Sequence, residues 1–315
     1  MTDLHKLVKI AHYYYRDGLT QKEIADKLSM SRQNVNRILK RIVEEGIVKI
    51  EIVNYMAVNV ELERKLERAF GLKDAVIISD LDDSSIIERL AQVGASYVHE
   101  MLETKKTFGI GNGRILRNMV EYVKERHKDV SVVQIAGGMP YTEIDDLIDI
   151  NNQSDEIIIQ LSQRIGAVPY FMHVPIFVEN SETKKALMEE QFVKNSFDMI
   201  DRCDFAVLSI EGINEDITLF KEQYLGASYL SQLINGGAVG NICSRYFDIS
   251  GTQVHSSLED RTMVPELEQL KKIPQIIGIG AGKNEQAAIL GALRGKLINV
   301  LITNIETAQY LLENI

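Results

Sequence analysis

Apolar residues recur along the first fifty positions at helical spacing, interrupted at a few marked places. Leu4, Leu7, Val8, Ile10, Ala11 and Tyr14 share one helix face, and Asp17-Gly18 ends that helix. Thr20 followed by Glu23 is a capping box, and it opens a short helix with Ile24, Ala25 and Leu28 turned inward. After a tight Ser29-Met30 step, Ser31 offers a further cap. A longer helix then runs over residues 32–45, with Val35, Ile38, Leu39 and Ile42 on its buried face and Gly46 as its stop. Helix, short helix, turn and long helix make a helix-turn-helix. Val48, Ile50 and Ile52 alternate with Lys49, Glu51 and Val53, the pattern of a strand in a small wing.

Beyond the head the period changes. Residues 61–70, with Leu62, Leu66, Ala69 and Phe70 apolar, predict a helix closed by Gly71. Short β-rich runs follow at 75–79, 107–110, 130–135, 170–178, 205–210, 275–279 and 299–302. Helical runs lie between them near 84–103, 114–126, 181–200, 284–295 and 304–314. Alternation of this kind builds a mostly parallel sheet with helices on both faces, and ligands bind such sheets outside the carboxyl ends of the strands. The expected fold class is α/β. A winged helix-turn-helix occupies residues 1–55 and a larger Rossmann-like effector and oligomerisation domain occupies 56–315.

Charge separates the two parts. The whole chain of 315 residues carries a net charge of −10, yet residues 1–50 hold ten Lys and Arg against six acids. The rest holds 25 basic and 39 acidic side chains. A basic head on an acidic body predicts a nucleic-acid contact made by the head alone, since phosphates attract the first and repel the second. No apolar run reaches the roughly 18 residues of a membrane span, and the first residues lack the apolar stretch of a signal peptide, so a cytoplasmic protein with no membrane partner is expected. Cys203 and Cys243 stand alone without metal-ligand spacing and read as buried thiols. No metal and no cofactor is expected.

In a helix-turn-helix the third helix enters the major groove N-terminus first. Arg32, Gln33, Asn34, Asn36 and Arg37 lead it here. Arg suits guanine and Asn or Gln suits adenine, because each offers two hydrogen bonds in fixed geometry. Thr20, Gln21, Ser31 and Lys40 complete the candidate DNA-binding set. The alternative is a packing module with a solvated polar face, but such faces usually mix Lys with Glu, and residues 31–37 contain no acid.

Glycines mark the strand ends in the body. Gly109-Ile110-Gly111-Asn112-Gly113-Arg114 leads from a strand into a helix, where backbone amides can meet an anion. Tight turns also use glycine for steric reasons alone. Residues 134–138 and 278–283 end two further strands on glycine, and 236–240 opens a loop. Together they predict a shared pocket for a small polar ligand.

The sequence resembles the SorC family of bacterial sugar-responsive transcription regulators, of the deoxyribonucleoside-regulator and central glycolytic gene repressor type. The resemblance covers nearly the whole chain. Its marks are GLTQKEIADKLSMSRQNVNRIL at 18–39, GIGNGRIL at 109–116, GAVGNICSRYFDISG at 237–251 and, most specific, GIGAGKNEQAAILGALRGKLINVLITNIETAQYLL at 278–312. It implies an effector domain similar to sugar-phosphate isomerases and deaminases, a sugar or sugar-phosphate effector, and a homo-oligomer, dimer or tetramer, on operator DNA. By position it implies effector contacts at Gly111, Asn112, Gly113, Arg114, Gly137, Gly138, Asp248 and Lys283. Many members carry an aromatic residue at the place of Asn112, Thr at that of Ile115, and a lysine where Glu285 stands. Lys283 leaves two readings: a compensating cation for a phosphate, or a solvated helix-start lysine.

An enzyme is the rival reading, a sugar-phosphate isomerase or deaminase fused to a DNA-binding head. His5, His12, His99, His127, His173 and His255 are scattered, and no HExxH, GxSxG or P-loop occurs. Asp82-Asp83, Asp145-Asp146 and the pair Asp201 and Asp204 could in principle supply acid-base chemistry, but acids in loops and at helix starts are usually solvated or capping. His173 is the pocket candidate among the histidines, or else a core histidine bonded to backbone. A ligand-free dimerisation protein is a third possibility, against which the clustered glycines argue.

Overall fold

The computed structural model describes residues 3–49, 57–79, 83–124, 126–138, 154–213 and 227–315. They fall into two compact units, Met1–Ala57 and Val58–Ile315.

In the first unit α1 spans Asp3–Tyr15, α2 Gln21–Lys27 and α3 Arg32–Glu44. Both halves of the capping box form: the Glu23 N–H donates to Thr20 Oγ1 at 3.3 Å, and the Thr20 N–H donates to Glu23 Oε2 at 2.8 Å. Ser31 Oγ accepts from the Asn34 N–H at 3.2 Å. Leu7, Ile10, Ala11, Ile24, Ala25, Val35, Leu39 and Ile42 close into one small core. Ser29 takes a left-handed backbone, φ 52°, which makes the turn between α2 and α3 tight. The rest of the expected wing strand, Ile50 to Val53, lies outside the described residues.

The second unit begins with α4, Ala57–Phe70, four residues earlier than its apolar spacing predicts. Then come β1 (Asp74–Ile78), α5 (Asp83–Leu102), β2 (Thr107–Ile110), α6 (Arg114–Tyr122), β3 (Ser131–Gln134), α7 (Ser154–Ile165) and β4 (Val168–Tyr170). After these lie α8 (Ser181–Glu189), α9 (Gln191–Ile200), β5 (Phe205–Ser209), β6 (Glu211–Gly212), α10 (Ala227–Asn235), β7 (Ala238–Ile242) and β8 (Arg245–Asp248). The chain closes with α11 (Leu267–Leu270), β9 (Ile276–Ile279), α12 (Lys283–Arg294), β10 (Val300–Asn304) and α13 (Ile305–Glu313). Seven strands pair in parallel in the order β1-β10-β9-β5-β2-β3-β4. Strand side chains alternate between two cores. Phe108, Ile110, Phe205, Val207, Ile277 and Ile302 face α5, α6 and α7, whereas Ala206, Leu208, Ile276 and Leu301 face α9, α12 and α13. The chain winds outward from β2 to β4, returns to β5 on the other side of β2, and winds outward again, so the order reverses between β2 and β5.

Six of the seven predicted β runs each supply one strand of this sheet, and the seventh shares only Tyr170 with β4. The run at 170–178 is the poorest match: β4 ends at Tyr170, and the rest is irregular apart from single bridges such as Gly138↔Pro175. The single helix expected at 181–200 is two helices, broken at Glu190, whose ψ of 131° is extended. The break lets α9 bury Val193, Phe197 and Ile200 while α8 buries none of its residues. The glycines at 236–240 do not open a loop into a pocket. Gly236 and Gly237 make the turn from α10 into β7, and within β7 Gly240 packs against Ala288 of α12 so closely that a side chain there would collide with it.

Phe108 and Phe205 are register partners on β2 and β5, fully buried and stacked with ring centroids 4.9 Å apart. Replacing Phe108 with Ala should cost about 3–5 kcal/mol of stability. Denaturant unfolding of the two proteins measures this, and a loss below about 1 kcal/mol would show that the sheet centre is not packed as described.

Candidate functional site

Two strands of the central sheet end in the same way. The sequences at 109–114 and 278–283 read GIGNGR and GIGAGK. Gly113 (φ 118°, ψ 161°) caps α6 and Gly282 (φ 113°, ψ 165°) caps α12, neither with a side-chain cap. An L side chain rarely adopts that φ, so glycine is required at both turns. The two helices lie on opposite faces of the sheet, and β5 lies between β2 and β9. From the end of β5 the chain runs into Glu211, whose Oε1 is 3.0 Å from the place a Gly113 Cβ would take. The next residue, Gly212, is pressed against the Asn284 carbonyl in the first turn of α12.

One strand further out, the ends of β3 and β4 border a cavity of about 460 Å³. Gln134, Gly138, Asp155, Phe171, His173, Val174 and Pro175 line it. Gln134 is 1% exposed and its amide is fully committed: Oε1 accepts the Met172 N–H at 2.9 Å, while Nε2 donates to Ser154 Oγ at 2.9 Å and to Asp155 Oδ1. Asp155 stands in the first turn of α7 and its Oδ2 lies against Gly138. Phe171 and His173 present two rings 5.5 Å apart. His173 has a φ of 53°, a conformation uncommon for a non-glycine residue outside turns and sites.

The expected effector residues separate into three groups. Gly138 lines the cavity, and Asn112, Gly113 and Arg114 stand at the end of the neighbouring strand β2, Arg114 exposed. Gly111 and Gly137 are packing glycines. The Gly111 N–H bonds to Val207 O at 3.1 Å, and a side chain would meet Cys243 Sγ at 3.2 Å and Leu208 at 3.3 Å. Gly111 has no left-handed φ, so the positive φ of this turn belongs to Gly113. Gly137 has backbone of residues 174–176 within 2.8 Å of where its Cβ would be. Asp248 does not join the strand ends. It closes β8, where its Oδ1 accepts the Ser250 and Thr252 N–H groups at 2.9 and 3.0 Å. Its carbonyl abuts Gly291, far along α12 from Gly282, because the β7–β8 hairpin lies back along that helix. Lys283 is 82% exposed and ion-paired with Glu306 at 3.8 Å, as a solvated helix-start lysine would be.

On α3 the leading residues point outward. Arg32, Gln33, Asn36, Arg37 and Lys40 are exposed, and Asn34 is half-buried. Asn34 Oδ1 accepts from Arg37 Nη2 at 3.0 Å, which holds the guanidinium along the helix face. Thr20 and Ser31 are occupied as caps, and Gln21 begins α2.

Known proteins place this architecture. A family model described as "Putative sugar-binding domain" matches residues 55–313, and a MarR family model matches 10–53. The sorbitol operon regulator of Klebsiella pneumoniae is 32% identical over 99% of this chain and 98% of its own length. Its full-length crystal structure superposes with a TM-score of 0.74 over 99% of each chain. The chain belongs to the SorC family. The deoxyribonucleoside regulator of Bacillus subtilis (strain 168), 28% identical over 98% of this chain and 97% of its own, is a further relative. As a SorC-family member the chain is a transcription regulator that joins a helix-turn-helix DNA-binding part to a sugar-binding part. Its relatives are named as regulators, and no helix of the described residues is long and apolar enough to cross a membrane.

Several residues at these strand ends were not singled out in the sequence. Gln134 carried a signal, a polar residue closing the apolar run of β3, and Asp155 carried only the weak one of an acid in a helix's first turn. Glu211 carried none, since its position depends on β5 lying between β2 and β9. Because Thr20 is committed to the capping box, Thr20→Ala should lower the stability of the head by about 1 kcal/mol, read by thermal unfolding. An unchanged melting temperature would show that the capping box contributes no stability to α2.

Proposed function

We propose that residues 1–55 read operator DNA through α3, and that a sugar held by residues 56–315 at the carboxyl edge of the sheet governs that contact. One observation carries the DNA half: the outward face at the start of α3 presents Arg32, Gln33, Asn36, Arg37 and Lys40 with no acid among them. Thr20, Gln21 and Ser31 set the entry of the two helices, and Asn34 orients Arg37. The cavity under Gly138 and the glycine turn at Asn112, Gly113 and Arg114 support the sugar half. In this reading Gly111, Gly137 and Asp248 support the site's shape, and Lys283 stands at its rim.

The protein works in the cytoplasm as a homo-oligomer, a dimer or tetramer. Two heads related by a two-fold axis contact half-sites separated by about 10 bp or a multiple of it. The ligand acts by binding one arrangement of subunits better than another. The body binds its sugar without converting it. Supporting this, burial pushes the thiols of both Cys203 and Cys243 up to about 12, which disarms them as nucleophiles at neutral pH.

Arg37→Ala should weaken operator binding by about 1–3 kcal/mol and leave the fold intact, with Asn34→Ala weakening it less, through loss of the Arg37 bond. Gel-shift titrations check this, and unchanged affinities across alanine variants of Arg32, Gln33, Asn34, Asn36 and Arg37 would remove the head's assignment. Incubation with sugar phosphates followed by NMR should show no isomerised or deaminated product. Product that disappears in Asp155→Asn would favour the enzyme.

A further inference from the structure

Each of the three glycine-rich strand ends already holds a carboxylate. Glu211 Oε1 is 3.0 Å from the Cβ position of Gly113, Glu285 Oε2 is 3.0 Å from that of Gly282, and Asp155 Oδ2 is closer still at Gly138. Gly113 and Gly282 are the N-caps of α6 and α12, where uncapped amides and the helix dipole would otherwise receive an anionic ligand. Glu285 is the third residue of α12 and turns back to its own helix start. Glu211 arrives from the neighbouring strand. The cations at these starts do not reverse the balance, because Lys283 is paired with Glu306 and Arg114 is a single exposed side chain.

A second observation points to the ligand's chemistry. Asn241 is 3% exposed, and its Nδ2 has no hydrogen-bond partner among the described residues, while its Oδ1 accepts the Ser244 N–H at 3.1 Å. In the antiparallel ladder of β6 and β7, Asn241 is directly opposite Glu211, so both side chains rise on one face. An unsatisfied donor beside a carboxylate acceptor matches a hydroxyl, which accepts from the first and donates to the second. A phosphate offers only acceptors and is repelled by Glu211. The cavity lining adds another carboxylate, Asp155, with the Phe171 and His173 rings for the apolar face of a sugar, and among the described residues it contains no Lys or Arg.

We infer that the effector of this edge is an uncharged polyhydroxy compound, a sugar or sugar alcohol without a phosphate, recognised through Glu211, Asn241 and Asp155. The inference rests on the reading that a sugar binds here and deepens it to a ligand class.

Inorganic phosphate is the first probe, against chloride at matched ionic strength, with thermal unfolding as the readout. The native chain should show no phosphate-specific rise. The double variant Glu211→Gln, Glu285→Gln, with both helix starts freed of their carboxylates, should gain one of about 2–4 °C. A rise in the native chain overturns the inference. A response in neither protein overturns it too, because the carboxylates would then not be filling anion sites.

The second probe is a set of matched pairs, glucose, fructose, ribose and sorbitol each against its own monophosphate, measured by calorimetry and by release or retention of operator DNA. The neutral member should bind at least about tenfold more tightly, and Asp155→Asn should lose most of that affinity. A phosphorylated member that binds more tightly and alters operator binding leaves the sugar-controlled regulator standing and removes only the ligand class. A full panel with no binder removes the sugar-binding reading itself, and the inference with it.

Discussion

Seven strands paired in parallel must all leave the sheet at one edge, and what the body can offer a ligand follows from that constraint. After β2, β9 and β10 the chain stops pairing and enters a helix within a few residues. At β2 and β9 the turn is made by a glycine with φ near 115°, and that choice removes the usual side-chain cap of the helix. The amides left open must be met by groups from elsewhere. Glu211 reaches one helix start from β6 and Glu285 reaches the other from its own helix. A glycine chosen for backbone geometry thus decides where the carboxylates of the site stand.

Those carboxylates are tolerated because a negative group at a helix N-terminus is stabilised, typically by about 0.3–1 kcal/mol. The edge can therefore be acidic without being strained. The same acidity keeps the body from competing for DNA phosphates, which the basic residues of the head attract. Charge of one sign thus leaves the helix-turn-helix as the part of the chain suited to the operator.

Much of this was legible from residues alone. Capping at Thr20, Glu23 and Ser31 is local, and the helix-turn-helix could be read at single-residue detail for that reason. The inner β runs were legible because strands buried on both faces are apolar throughout, as Phe205–Ser209 is, whereas β4, exposed at all three residues, was displaced in the reading. The small antiparallel sheet of β6, β7 and β8 was not, since β6 has two residues and β7 contains Gly240 where the hairpin meets Ala288. Glycine spacing showed where strands end but not which glycine does what. Gly111 and Gly113 are two positions apart, yet one fills the core and the other makes the turn. Asp248 stands away from the strand ends because the motif at 237–251 folds as the β7–β8 hairpin: its turn brings Cys243 against Gly111, and its two ends lie back together along α12.

Any influence of the edge on the head has to pass through packed structure, and within the body a set of hydrogen bonds ties the strand ends to neighbouring elements. The Gly282 N–H donates to Thr307 Oγ1 at 3.2 Å, and the Gly280 N–H donates to Ile302 O, also at 3.2 Å. Ile302 belongs to β10, which pairs along its length with β1. On the open side of β1, Ile77 finds side chains in place of another strand: Asn59 Nδ2 donates to its carbonyl and Glu63 Oε1 accepts its N–H, both at 2.9 Å. Burial holds the Glu63 carboxyl above the usual range, although the Ile77 bond opposes it. Both residues belong to α4, the helix that begins where the described body starts. Asn59 and Glu63 therefore close an edge that would otherwise recruit strands, and they fix α4 to the sheet by backbone polar groups. Bonds of this kind carry a signal only if some element they join has two arrangements that the ligand distinguishes, and shifting such an equilibrium from 1:99 to 99:1 takes about a 10⁴-fold difference in affinity between them. A ligand recognised as inferred above, by the two carboxylates of Glu211 and Asp155 and the Asn241 amide, can supply a difference of that size only by making those contacts in one arrangement and losing several of them in the other.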